Sequence, residues 1–317
     1  MISTLKYLPV LCALLACSVN SIAASGYFKF MNVTIQVADS ADAARFITQP
    51  DDYTSSFSTF DMQGRFRDKK SHTEAEYLAM AGKQMRTWTA AEQEKIEAAF
   101  GELATTIRAK QMKLRLPDTV LFIKSTCMEE FGAGGYTRKN AIIINKDEGV
   151  STSLVAHELF HVLSRHNALL RDKLYDNIGF KPCNRIDVTE AMNGLNITNP
   201  DCPVISHYVT VAGEDMVLVL HSKKPYDGGV VFEEDYIDIS LLVVTGDASN
   251  KKPRIKDGKA VTYKLDEKME LFSIIGSNTP YVLHPEEVCA EHFSALVTGK
   301  EVNEPEYLEK MRADMAE

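Results

Sequence analysis

The sequence has no basic stripe, no apolar run long enough to cross a bilayer, no internal repeat and no low-complexity tract. Each absence removes a class of protein. A net charge of -9, with 35 basic against 44 acidic residues, provides no surface suited to neutralising phosphates, so nucleic acid is not an expected partner. The apolar stretch from Tyr7 to Ala16 is too short for a membrane-spanning helix. No C-x-x-C pair is present, which argues against a structural zinc site of the cysteine type. A hydrophobic fraction of 45% and a charged fraction of 25% set aside disordered and collagen-like chains. The 317 residues suffice for one large domain or two smaller ones.

What is there begins with a targeting segment at residues 1–24: Lys6 precedes the apolar run, and small and polar residues follow it. Cleavage after Ser21-Ile22-Ala23 or Ile22-Ala23-Ala24 predicts an exported protein, periplasmic or secreted. Leu14-Leu15-Ala16-Cys17 also fits a lipobox, with Cys17 as a lipid anchor and the expected route to a membrane, but the polar residues after the run favour ordinary cleavage. Beyond the segment remain Cys127, Cys183, Cys202 and Cys289. An even number in an oxidising compartment predicts disulfides, with Cys183 and Cys202 the nearest pair.

Residues 25–115 read as an N-terminal mixed segment of short strands and helices, ending in a helix from the capping box Thr89-Ala90-Ala91-Glu92 to about Gln111. Residues 119–124 and 141–144 read as buried strands flanking the Gly-rich loop Gly132-Ala133-Gly134-Gly135. A helix begins near Ser151. Residues 181–265 carry turn signals between strand-like runs at 205–211, 216–221 and 230–245, the texture of a β-rich insertion. Helices follow at about 265–275 and at 286–297, the second opened by Pro285.

The chemistry lies in His157-Glu158-Leu159-Phe160-His161. Residues four apart on a helix are separated by about 6 Å along its axis, so both imidazoles can face one metal ion. Glu158 then sits beside that ion as the candidate catalytic base, taking a proton from a water that zinc has acidified. Chance occurrence on an ordinary helix would require three specified residues to coincide.

A catalytic zinc needs a third ligand. Ser164 and Asn167 stand where the metzincin pattern requires Gly and His, which excludes that family. His166 is one residue out of register and reads as a helix-end residue favoured by the macrodipole. In His284-Pro285-Glu286-Glu287-Val288-Cys289-Ala290-Glu291-His292-Phe293, Glu287 and Glu291 share a helix face. Glu287 is the candidate ligand, Glu291 the group that orients a ligating imidazole, and His292 the fallback ligand. Acidic residues in a first turn also complement the helix dipole without any metal.

With these residues the chain resembles the gluzincin metallopeptidases, whose H-E-x-x-H is followed by a helix bearing a ligand Glu and, four residues on, a second acidic group. The resemblance rests on two short motifs. The long separation of His161 from Glu287 departs from the family and leaves the β-rich insertion to be accommodated. Gly135-Tyr136-Thr137-Arg138 and Asn278-Thr279-Pro280-Tyr281 also look like phrases from uncharacterised exported bacterial proteins, a likeness that adds no activity.

The resemblance implies an α+β, zincin-like fold: a mixed sheet with an active-site helix, and a β-rich insertion between the zinc-ligand helices. It implies one catalytic Zn2+ held by His157, His161 and Glu287, and hydrolysis of a peptide or protein substrate by a catalytic domain spanning 116–317. Tyr175, His207 and Tyr208 are candidate oxyanion donors by residue type. The strand at 141–145 is a candidate edge for adding an extended peptide, with the Gly-rich loop as its rim or as an ordinary hairpin turn. Two other classes stay open: an inactive zinc-bearing binding protein, against which the intact Glu158 counts, and an envelope lipoprotein.

Overall fold

A computed structural model describes residues 25–232 and 236–316; residues 1–24, expected as a targeting segment, and with them Cys17, lie outside the described residues. The chain is a mixed α+β protein. Its first sheet has the order β1 (Gly26–Phe30), β2 (Val33–Val37), β4 (Thr119–Ser125), β6 (Ala141–Asn145), β5 (Gly135–Arg138), with the short β3 (Met85–Arg86) paired to the end of β4. The central pairings β2–β4 and β4–β6 are parallel, whereas β1 and β5 run antiparallel at the two edges.

Both faces of this sheet are covered, which is why Ala141 to Ile144 reads as a continuous apolar run instead of an alternation. Ile142 and Ile144 point to the core shared with α4 (Ala90–Ala109) and α5 (Thr152–His166). Ala141 and Ile143 point to a second core under α1 (Ser40–Ile47) and α3 (Glu74–Gly82). The boundary expected between residues 115 and 116 falls inside this sheet, because β1 and β2 come from one side of it and β4, β6 and β5 from the other. Residues 25–115 are part of the same body.

Between α5 and α8 (Pro285–Thr298) lies a second sheet in which β7 (Phe180–Pro182), β8 (His207–Val211), β9 (Glu214–Ser222) and β10 (Ile237–Thr245) are neighbours in that order, extended by Lys252–Pro253 and Thr262–Lys264. One face, through Val209, Met216, Leu218 and Leu241, joins the main core; the other carries Val217, Val219 and Leu242 into a smaller cluster. The insertion is thus packed onto the body that it interrupts. Helix α6 (Ala168–Asp176) follows α5 directly; α7 (Glu270–Ile275) precedes α8, and α9 (Glu306–Ala316) packs after it.

All four described cysteines are free, contrary to the disulfides expected from their even number. Cys127 belongs to the second core and Cys289 to the first, so the sheet lies between their surroundings. Among the described residues no helix is long and apolar enough to cross a membrane.

Buried charge is concentrated where α2 (Thr59–Phe66) meets the loop after β4. Arg65 pairs with Asp61 and Glu130 and donates to the Thr198 carbonyl at 3.1 Å. Asp61 accepts from the Thr198 backbone N–H at 3.1 Å and hydroxyl at 2.8 Å. This network fixes the segment that leads into Asn199-Pro200-Asp201-Cys202. Nearby, Glu129 accepts from Ser125 at 2.5 Å and Tyr136 at 2.8 Å, while its other oxygen has no partner among the described residues. Burial pushes this carboxyl up to about 7. A carboxyl whose folded pKa is raised stabilises the fold below its unfolded pKa and loses that contribution as pH rises through the folded one. Glu129→Gln is therefore expected to remove a stability loss of about 3 kcal/mol between pH 4.5 and 7, read from urea unfolding midpoints across that range.

Candidate metal centre

Helix α5 is capped by Ser151, whose hydroxyl accepts from the Leu154 N–H at 3.2 Å. Its core face carries Val155, Leu159, Phe160 and Val162, leaving His157, Glu158 and His161 on the face towards α8 and β5. Helix α8 starts at Pro285 in its favoured first-turn position, with His284 Nδ1 accepting from the Glu286 N–H at 3.1 Å. The two helices are held together by Phe160 against Phe293, with ring centroids 5.8 Å apart, and by Ser294 Oγ donating to the Ser153 carbonyl at 2.9 Å.

This packing brings three distant residues to one point. Glu287 Oε2 lies 3.2 Å from His157 Nε2 and 3.7 Å from His161 Nε2. The remaining ring nitrogens face carboxylates: His157 Nδ1 is 3.1 Å from Glu291 Oε1, and His161 Nδ1 is 2.9 Å from Glu286 Oε1. An imidazole that donates through Nδ1 can present its Nε2 lone pair to a cation, and both Nε2 atoms converge on the same carboxylate oxygen, to which His157 Nε2 donates in the metal-free chain.

His161 is fully buried, and its Nε2 has no hydrogen-bond partner among the described residues. An orphaned buried nitrogen is costly unless something fills the place it faces. Two ligand atoms on one tetrahedral zinc lie about 3.3 Å apart, given bond lengths near 2.0–2.1 Å, and the separations of 3.2 and 3.7 Å are of that size. The donor set fits a divalent cation of the zinc kind.

The charges follow from this crowding. Burial opposes ionisation of Glu287, but the His161 and His157 rings outweigh it and hold the carboxyl down at about 2. Burial also opposes the charged form of His157, yet its hydrogen bonds to Glu287 and Glu291 raise the ring well above its ordinary value. Glu158, which is 3% exposed, is pushed up to about 7, first by burial and then by the Asp201 carboxylate. A buried carboxyl near neutrality is suited to taking and returning a proton.

Glu158 is held from β5, where Thr137 Oγ1 donates to its Oε2 at 2.7 Å and to its backbone carbonyl at 3.1 Å. On the same strand, a Cβ added at Gly135 would stand 2.9 Å from Glu158 Oε1. Gly135 therefore makes room for the carboxylate. Gly135→Ala is expected to preserve the fold while displacing Glu158, read from the thermal unfolding and the crystal structure of the variant.

The other expected residues lie apart from this centre. Tyr175 donates to Glu286 Oε2, so it supports the carboxylate behind His161. His207 Nε2 is 3.1 Å from Asp172 Oδ1 and its ring packs edge-on to Tyr175, while Tyr208 lies under the Lys251 ammonium at 4.5 Å. None of the three lines the cleft that opens at His157 and Glu158, which measures about 850 Å³. His292 is stacked on Tyr307 with Nε2 near Asn278, and His166 is an exposed helix-end residue. The strand at 141–145 is enclosed between β4 and β5, so β5 is the edge strand and the Gly-rich loop leads directly into it.

Sequence reading missed five contributors. Glu286 was hidden beside Glu287. Thr137 and Tyr281 stood within phrases that gave them no role; Tyr281 lines the cleft with its ring centroid 6.4 Å from that of His157. Burial and then Glu287 raise the Tyr281 phenol, keeping it a protonated donor. Asn199 donates to Glu287 Oε1 at 2.6 Å, and Asp201 groups with Glu158 and His161. These last two come from a loop of the insertion with no spacing signal towards α5.

The fold and centre define an α+β protein with two histidines and a carboxylate gathered beside a buried glutamate. Comparison of the chain with protein families, with curated proteins and with solved structures returns no match.

Proposed function

We propose that the chain is an exported zinc-dependent peptidase of the gluzincin type with a zincin-like catalytic fold, hydrolysing peptide bonds. The observation that carries this reading is the convergence of His157 Nε2 and His161 Nε2 on Glu287, with Glu158 buried alongside. His157, His161 and Glu287 would hold the ion, and when bound it supplies a Lewis acid that acidifies water and polarises a substrate carbonyl. Glu291 and Glu286 fix the two imidazole orientations through Nδ1.

Glu158 takes the proton from the attacking water and delivers it to the leaving amine. Thr137 holds the carboxylate in place for both transfers. Tyr281, rather than Tyr175, His207 or Tyr208, is the donor that can reach the oxygen on which charge develops. The edge of β5 receives the substrate backbone, where paired strands align it against Glu158.

The test is a peptide-library digestion by the mature protein, with and without a chelator, followed by zinc restoration. Cleavage that chelation abolishes and zinc restores supports the peptidase. Stoichiometric zinc without cleavage of any peptide contradicts it and favours the binding protein.

A further inference from the structure

The insertion meets the body along a seam, and one cavity in that seam is lined by two polar side chains with unpartnered atoms. The cavity measures about 260 Å³ and lies between the turn before α2, the loop that follows β7 and the start of α8. Its walls are mainly apolar, formed by Phe57, Ile186, Val188, Ile205, Leu218 and Leu220. It shares no lining residue with the cleft at His157 and Glu158.

The two side chains are His284 and Asn196, which are 7% and 6% exposed. His284 Nδ1 accepts from the Glu286 N–H at 3.1 Å, which puts the ring proton of the neutral imidazole on Nε2. That N–H has no acceptor among the described residues, and Asn196 Oδ1 has no donor. Leaving either group buried without a partner is costly. Their needs are opposite: one lacks an acceptor and the other a donor.

We infer that this cavity binds a small neutral carboxamide with an apolar body, its carbonyl oxygen accepting from the His284 Nε2–H and its N–H donating to Asn196 Oδ1. Size limits the body: the volume is below that of drug-sized pockets and suits about ten non-hydrogen atoms. Charge favours a neutral ligand. The exposed lining residues Arg185 and Asp187 carry opposite signs, and Arg185 Nη2 is already engaged with Ser56 Oγ at 2.8 Å. The cavity also bears on the metal centre. Asn199, another lining residue, donates to Glu287 Oε1 at 2.6 Å, and His284 caps the helix that carries Glu287. An acceptor at Nε2 makes Nδ1 a stronger acceptor for the Glu286 N–H, because hydrogen bonds in a chain polarise one another. A bound amide therefore steadies the first turn of α8 and tightens zinc, and zinc tightens the amide by the same factor. The amide site stands independently of the peptidase reading; its coupling to zinc rests on the metal centre of that reading.

The experiment titrates matched pairs into the mature chain, read by ligand-observed NMR and calorimetry: benzamide with acetophenone, phenylacetamide with phenylacetone, and isovaleramide with 4-methylpentan-2-one. In each ketone a methyl group replaces the NH2. At least one amide is expected to bind with Kd below about 1 mM and at least about tenfold tighter than its ketone. Asn196→Ala is expected to close that gap. Ile205 lines this cavity and not the neighbouring one at Arg165, so Ile205→Trp is expected to fill it and abolish binding while the variant still unfolds cooperatively. Should Ile205→Trp fail to fold, the matched pairs and Asn196→Ala decide. The amide is expected to tighten zinc about fivefold or more in the wild type and not in Ile205→Trp. No saturable amide binding, equal binding of amide and ketone, or binding that survives Ile205→Trp overturns the site. So does a crystal structure, grown with saturating amide, in which water alone bonds His284 and Asn196. Amide binding with unchanged zinc affinity overturns the coupling and supports the site. Amide binding by a chain that takes up no zinc also supports the site, and overturns the peptidase reading.

Discussion

Replacing Glu158 with Gln is expected to leave zinc content near stoichiometric and to cut peptide hydrolysis on the order of 10³-fold. The substitution keeps the shape of the side chain, and its amide oxygen can still accept from Thr137 Oγ1, which reaches Glu158 Oε2 at 2.7 Å in the native chain. It removes only the capacity to take a proton. Glu158 is not in the group formed by His157, His161 and Glu287, although with His161 and Asp201 it forms a second group that could hold a cation, so metal content is the readout that separates base from ligand. Folding has no reason to suffer, because burial and the Asp201 carboxylate oppose the charge on Glu158. Metal analysis, thermal unfolding and single-peptide kinetics on the same preparations check all three expectations. Loss of zinc together with activity would move Glu158 into the ligand set; unchanged turnover would remove it from the chemistry.

Glu287→Gln is expected to do the reverse, abolishing tight zinc binding and weakening the fold. Glu287 is the acceptor on which both Nε2 atoms converge, at 3.2 and 3.7 Å, and it is 1% exposed. Without its charge a protonated His157 is left buried with less compensation, a change on the order of 3 kcal/mol in the metal-free chain at neutral pH. Zinc should raise the unfolding temperature of the wild type and leave that of the variant almost unmoved, since a ligand stabilises only the state that binds it. Glu291→Gln offers an internal scale. Glu291 contacts His157 Nδ1 at 3.1 Å from the far side of the ring, so its loss is expected to weaken zinc binding by about 10- to 100-fold, less than the loss of Glu287. Zinc titration against a chromophoric chelator ranks the three proteins; equal affinity in Glu287→Gln and wild type would overturn the ligand assignment.

Helical periodicity made much of the centre legible. His157, Glu158 and His161 share a face because one turn is nearly four residues, and the same rule pairs Glu287 with Glu291. The capping box at Thr89 and the first-turn Pro285 stand where their side-chain chemistry predicts. The edge strand was harder to locate. The run Ala141 to Ile144 announces a buried strand, but edge status depends on pairing order, and β5 covers that side. Long-range placement was hardest. Asp201 and Asn199 reach the centre through the buried ties of Thr198 to Asp61 and Arg65, which join α2 to the insertion across more than a hundred positions of chain. Tyr175 has the donor's chemistry, but its hydroxyl is committed to Glu286, whereas Tyr281 occupies the cleft. Residue type proposes candidates; direction within the fold selects among them.

The most direct measurement is zinc-edge anomalous diffraction from crystals of the mature chain supplied with one equivalent of zinc. A single strong peak about 2.0–2.2 Å from His157 Nε2, His161 Nε2 and a Glu287 carboxylate oxygen is the result the account predicts. No peak among those three atoms, or one held by other side chains while they remain paired with each other, would contradict it.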